Sequence, residues 1–180
     1  MLLLNVKPHG LSCQRATPKT LSGAEALFRC EQVMQHISAP LSADQARKRV
    51  KWLMQCDKNP ANAIWVLLDK HQLLQGLITL LDDAEQNRAE MGIMLLPRWH
   101  GSGLGAKALY ALTRVAFLDL NKTALFAQVS EHNLTVARIL RALGFTESRH
   151  QKHSLRHFNC TIQQWRDNAR HTLFTSRGTP

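Results

Sequence analysis

The chain has 180 residues, 44% of them hydrophobic, which is enough for one domain with a real core. Lys and Arg total 23 against 13 Asp and Glu, a formal charge of +10 that favours anionic partners and argues weakly against polycations. Cys13, Cys30, Cys56 and Cys160 form no C-x-x-C pair, so neither a zinc ribbon nor a disulfide scaffold is suggested and the thiols read as reduced.

Met1 to Leu4 is apolar but too short for a signal peptide, and no run approaches the roughly eighteen apolar residues of a membrane span. The expectation is a soluble, cytoplasmic protein. Leu11 to Thr17 reads as a first strand, and Pro18 with Ser22-Gly23 as a turn into a helix over Ala24 to Gln35. Ser42-x-x-Gln45 is a capping box, and Ala46, Val50, Leu53 and Met54 mark one face of a second helix ending near Cys56. Ala63 to Leu68 and Leu73 to Leu81 form a hairpin around Asp69-Lys70-His71-Gln72, and Arg88 to Leu96 supplies another strand.

A long helix follows over Ser102 to Leu118, with Leu104, Ala108, Leu112, Val115 and Ala116 on one face. Tyr110, among apolar neighbours, is expected in the core. Thr123 to Val129 is a buried strand, Asn133 to Leu143 a helix stopped by Gly144, and Phe145 to Arg149 and Ser154 to Ile162 two final strands. The order β-α-α-β-β-β-α-β-α-β-β gives an α/β domain: a mixed sheet with helices on both faces, over residues 1–165. A basic tail over 166–180 is expected to follow, with a helical turn or two around Trp165 before fraying from Thr172.

Between Arg98 and Ala106 the chain reads R-W-H-G-S-G-L-G-A, directly after the apolar run Ile93 to Leu96. A strand, a glycine-rich turn and a helix start bring unpaired backbone N–H groups and a helix dipole to one point, which suits a pyrophosphate-bearing cofactor. The spacing is not that of a Walker loop, because no Gly-Lys-Ser/Thr follows. It is not a dinucleotide fingerprint either, because Gly101, Gly103 and Gly105 give G-x-G-x-G. A tight turn with no ligand remains the alternative.

Thirty residues on, N-L-T-V-A-R-I-L-R-A-L-G-F runs from Asn133 to Phe145. Together the two motifs resemble those of the GNAT acyltransferase superfamily, Gln/Arg-x-x-Gly-x-Gly/Ala followed by Asn, a helix and Gly-Phe. His100 takes the Gln/Arg position, and Gly103 and Gly105 are the two small residues. The stretches L-S-C-Q-R-A-T-P-K-T and A-E-M-G-I-M-L-L-P, with a late strand leading to Gln-Gln-Trp, are most similar to the ribosomal-protein N-terminal acetyltransferase branch. Within the superfamily the chain also keeps that element order.

The resemblance implies acetyl-CoA as co-substrate, held by His100, Gly101, Ser102, Gly103, Leu104 and Gly105, with an exposed loop histidine that binds nothing as the alternative for His100. It further implies that the backbone of Ile93, Met94 and Leu95 pairs with the pantetheine arm, and that a neighbouring strand splays away to admit it. The backbone N–H of Leu95, or of Met94, would face the oxyanion. Asn133 would reach the pantetheine amide, cap its helix, or do both. Gly92 fits a bulge on the same strand or a close backbone approach. The acceptor cleft is expected between the helices over 24–56 and the final hairpin.

Glu90 is the candidate general base, because partial desolvation on that strand would raise its pKa; the alternative is a strand glutamate paired with a cation. Three positions depart from the superfamily pattern. Gln128 stands where many members carry a glutamate, Leu140 where many carry an acidic tyrosine, and Val136 where the branch often has a serine. No general acid is assigned. Trp99 reads as packing. His150, His153, His157 and Cys160 have only a superficial metal-ligand spacing, so no metal is expected.

The leading expectation is acetyl transfer to an amine, most naturally the N-terminal α-amine of a protein. A small-amine acetyltransferase and a non-catalytic acyl-CoA-binding or RNA-associated module are the alternatives, and ribosome association and a homodimer stay open. No membrane partner is expected.

Overall fold

Two strands tell how the layers are arranged. Ala63–Leu68 (β2) is buried at every residue, as a strand covered on both faces must be. Ala124–Ser130 (β5) instead alternates between buried and accessible positions, so helices cover one of its faces only. The computed structural model, which describes residues 10–148 and 154–175, places both strands in one seven-stranded sheet.

The other strands are Ser12–Arg15 (β1), Leu74–Asp83 (β3), Arg88–Leu95 (β4), Thr146–Ser148 (β6) and Leu155–Thr161 (β7), and the spatial order is β1-β2-β3-β4-β5-β7-β6. Every neighbouring pair is antiparallel except β4 and β5, which are parallel. The mixed sheet and the element order agree with those read from the sequence.

One core lies beneath Leu104–Arg114 (α5), Leu134–Ala142 (α6) and Ile162–Thr175 (α7), and gathers Trp65, Ile78, Leu80, Met91, Leu112, Leu125, Leu140 and Phe158. The second core, on the opposite face, joins Ile64, Val66, Leu68 and Leu77 to four helices: Pro18–Leu21 (α1), Glu25–Arg29 (α2), Glu31–Met34 (α3) and Ala43–Cys56 (α4). On this face neither core includes Glu90, Phe126, Gln128, His157 or Asn159, so β4, β5 and β7 stay open there.

The single helix expected over Ala24 to Gln35 is instead α1, a 3-10 turn, α2 and α3 in succession. Thr17 caps α1 in a reciprocal box with Thr20, and Pro18 takes the first turn, where its missing N–H costs nothing. The break falls at Cys30, whose backbone is extended. In one straight helix Phe28 and Val33 would point about 140° apart, yet both are buried in the same core. The break turns the two faces the same way.

Tyr110 corrects another expectation, since it is 50% exposed on the outer side of α5. Nor does the C-terminal segment stop at a turn or two: α7 continues to Thr175. It is anchored by Trp165, buried with its ring 5.6 Å from that of Phe117, and started by reciprocal Thr161–Gln164 bonds that form a T-x-x-Q capping box. Arg149, His150 and His153 lie outside the described residues, as does the end of the tail beyond Thr175. All four cysteines are free thiols. Among the described residues no helix is long and apolar enough to cross a membrane.

Candidate active site

The site begins where two strands part. β3 and β4 pair without interruption from Asp83/Arg88 to Gly76/Leu95, whereas β4 and β5 pair only at Arg88/Ala124, Ala89/Leu125 and Glu90/Phe126. Beyond Glu90 the β5-facing edge of β4 has no strand against it. Hydrogen-bonded and non-bonded pairs alternate along an antiparallel ladder. The Leu96 N–H donates to the Gln75 carbonyl at 2.9 Å, so Met94 and Gly92 also direct their amides toward β3. Ile93 and Leu95 therefore turn theirs toward the gap. Of Met94 and Leu95, it is Leu95 whose N–H is available there.

The gap closes on the loop. His100 Nε2 lies 2.9 Å from the Leu95 carbonyl oxygen, so its ring ties the loop back to the strand end. With Nε2 donating to that carbonyl, Nδ1 is the nitrogen left for another partner, and it donates only when the ring is protonated. Trp99 is half-buried against the core, as expected of a packing residue, and its Nε1–H donates to Gln75 Oε1 at 3.0 Å. The Ser102 hydroxyl donates to the Trp99 carbonyl at 2.7 Å and accepts from the Leu104 N–H at 3.3 Å. It shapes the turn, and its proton is committed.

Gly101 and Gly103 have φ of +73° and +78°, a region side chains rarely adopt, and a Cβ built on either meets nothing within 4 Å. Their need for glycine is thus conformational and not a matter of crowding inside the chain. Gly105 has an ordinary backbone and lies close to Leu95, with an added Cβ 3.8 Å from Leu95 Cδ1. The backbone N–H groups of Gly101, Gly103, Gly105 and Ala106 find no acceptor among the described residues. Four such donors at the start of α5, which a π turn (Val115–Asp119) prolongs at its far end, suit an anion.

Gly92 corrects the bulge reading. The β3–β4 register runs through it unshifted, opposite Thr79, and a Cβ there would stand 2.4 Å from Thr79 Oγ1. Close approach of the Thr79 side chain is the reason for glycine. The one register shift in this region is on β2, between Leu67 and Leu68.

Glu90 occupies the last paired position before the gap and is half-buried on the open face. Burial pushes its carboxyl above the ordinary carboxylate range. The nearest cation in sequence, Arg88, is engaged elsewhere: its Nε donates to Asp83 Oδ2 at 2.7 Å, and its guanidinium lies 4.6 Å from the centre of the Phe126 ring. Among the described residues the Glu90 carboxylate has no hydrogen-bond or ion-pair partner, so the paired-glutamate alternative does not describe it.

On the β5 side of the gap, Gln128 is exposed and pairs across the strands with His157 on β7. Asn133 caps α6, its Oδ1 accepting from the Val136 N–H at 3.1 Å. Leu140 is wholly buried in the first core, and Val136 packs against that core. Neither side chain can supply a proton. His157 and Cys160 join no group of three or more metal-ligating side chains among the described residues.

Gln75 escaped the sequence reading. It is fully buried, donating through Nε2 to Asp69 Oδ2 at 2.9 Å and to the Leu73 carbonyl at 3.0 Å while accepting from Trp99. It thereby fixes the β2–β3 turn and the entry to the glycine loop together. A lone glutamine in the run L-L-Q-G-L-I was the available signal, because a buried amide requires partners.

A sheet that opens between its two parallel strands, with a loop of unpaired amides at the open end, is the frame of an acyltransferase. The sequence matches the acetyltransferase (GNAT) domain family over residues 17–146, and the chain belongs to that family. No curated protein matches the sequence significantly. Among solved structures, spermidine N-acetyltransferase from Vibrio cholerae in complex with CoA and spermine superposes with a TM-score of 0.71 at 18% identity, over 87% of this chain and 98% of that one. The ribosomal L7/L12 α-N-protein acetyltransferase RimL, in complex with coenzyme A, gives 0.74 at 14% identity, over 89% and 98%. At such identities these likenesses concern the fold.

Proposed function

We propose that the chain transfers an acetyl group from acetyl-CoA to the N-terminal α-amine of a protein or peptide. The observation that carries the reading is the unpaired β4 edge at Ile93 and Leu95, which runs into four unpaired amides at the start of α5. The residues fit the co-substrate. Gly101, Gly103, Gly105 and Ala106 offer N–H groups to its phosphates, Ile93 and Leu95 offer a strand edge to its amide-bearing arm, and the Asn133 amide nitrogen lies at the head of α6. His100 and Ser102 hold the loop in shape, and Leu104 begins the helix behind it.

Bound there, acetyl-CoA supplies an activated thioester, so the protein's tasks are positioning, charge stabilisation and proton removal. The Leu95 N–H is the donor for negative charge developing on the acetyl oxygen. Glu90 removes the proton as the amine nitrogen bonds to the carbonyl carbon, and the sulfur leaves as a thiolate reprotonated from water. With Gln128, Leu140 and Val136 at the three departing positions, Glu90 is the one side chain assigned to proton transfer. The free cysteines suit a reducing compartment, and a cytoplasmic location is part of the reading.

Charge supports the choice of acceptor. Of the side chains that β4, β5 and β7 present on the open face, Glu90 carries the one carboxylate, enough for one amine but not for the several cations of a polyamine. The formal +10 acts in the same direction. An acceptor screen scored by thiol release tests this. Peptides with acidic or neutral first residues should turn over, with binding weakened by salt. Turnover of spermidine or aminoglycosides with peptides inert would replace the reading by small-amine acetylation. Release from neither class, with acetyl-CoA still bound, would leave a binding module.

A further inference from the structure

A helix on the sheet face opposite α5 carries charge that the proposed reaction does not use. α4 buries Ala46, Val50 and Leu53 in the second core. At 3.6 residues per turn, Lys48, Lys51, Trp52 and Gln55 then face outward, and all four are exposed. Lys58 follows, its N–H bonded to the Gln55 carbonyl at 3.1 Å. Arg47 is paired with Asp44, but Lys48, Arg49, Lys51 and Lys58 have no carboxylate within ion-pair distance among the described residues. Trp52 is 44% exposed, and the Arg49 guanidinium sits 5.1 Å from its ring centre. Because α4 and α5 pack on opposite faces of the sheet, these cations do not belong to the phosphate loop.

We infer that the outer face of α4 binds single-stranded nucleic acid, with phosphates on Lys48, Lys51, Arg49 and Lys58 and a base stacked on Trp52. Unpartnered cations alone would describe a solvated helix. A flat indole exposed among them adds what a base needs and an acidic peptide does not, since carboxylate pairs on exposed lysines contribute little. A duplex is disfavoured because its bases are already stacked. The cation–π contact sets Arg49 over the ring while the indole remains substantially exposed, which leaves it available as a stacking platform.

The test is fluorescence anisotropy of the full chain with a labelled mixed-sequence RNA of about 15 nucleotides, without acetyl-CoA, so that it stands apart from the acetyl-transfer reading. With four phosphate contacts, log K should fall against log salt with a slope of about −3. Lys48→Gln with Lys51→Gln should roughly halve that slope. Trp52→Ala should weaken binding roughly fivefold or more, and Trp52→Phe should recover most of the loss. Melting midpoints close to wild type are expected for these exposed positions and certify the fold. Equal affinity in all variants would overturn the inference. So would equal binding of duplex RNA, or equal binding of polyglutamate unaffected by Trp52→Ala, which would make the face one for acidic proteins.

Discussion

The two ends of β4 are built on opposite terms. At Arg88–Glu90 the strand is paired on both edges, and Arg88 is further held by Asp83 and by the Phe126 ring. At Ile93–Leu95 it is paired on one edge only, and what keeps it in place is the Leu96–Gln75 backbone bond, the His100 ring on the Leu95 carbonyl and the Gln75–Trp99 bridge. Backbone polar groups inside a fold are almost always satisfied, so an edge braced in position yet left unpaired by the chain is open to a ligand strand or to water. In the proposed reaction the pinned end would set where the proton is taken, and the open end where the co-substrate lies.

The sharpest way to separate those roles is to change the pinned end alone. Glu90→Gln keeps the shape of the side chain and removes its basicity, and loss of a positioned base costs about 10² to 10⁴ in rate. Turnover at neutral pH should fall by that much while acetyl-CoA affinity, measured by calorimetry, stays close to wild type. A fall of about twofold, below the range for a positioned base, would make Glu90 structural and leave the proton to water or to the acceptor.

The open end should respond in the complementary way. A valine at position 103 must adopt a φ near +78°, where side chains are strained by about 1–2 kcal/mol or more, although nothing in the chain lies within 4 Å of its Cβ. The strain should move the loop without unfolding the domain. Gly103→Val is expected to weaken acetyl-CoA binding about tenfold or more, since 1.4 kcal/mol is a factor of ten in affinity. Unchanged affinity in a folded variant would remove the loop from the cofactor site.

Glycine spacing, capping residues and apolar periodicity are local, and they made the loop, the order of strands along the chain and the helix at Ser42 legible in the sequence. Tyr110 has apolar neighbours in sequence, but the helical period decides its place: 100° per residue puts it opposite Leu104, Ala108 and Leu112, and there it is exposed. The break at Cys30 answers to a core shared with α4, and the partners of Gln75 include a tryptophan 24 residues on. Neither has a local signature. The point at which β4 and β5 part came only from the superfamily resemblance, because no residue pattern within β4 marks where pairing ends.

The smallest effect expected is in stability, and it tests whether Glu90 is as partnerless as the geometry has it. Burial raises the native carboxyl above its usual value of 4.5. As pH rises through the usual value the unfolded chain gives up its proton first, so the native state binds more protons in the window between the two values. Glu90 therefore contributes stability at low pH that is lost as pH climbs through the raised native value. Glu90→Gln cannot ionise and escapes that loss. Its melting temperature should exceed that of the wild type at pH 7, with the difference shrinking toward zero below about pH 4, where the carboxyl is protonated in both states. A variant less stable than wild type at pH 7 would mean that the ionised carboxylate has a favourable partner in the folded protein, and the pinned end of β4 would then hold Glu90 as firmly as it holds Arg88.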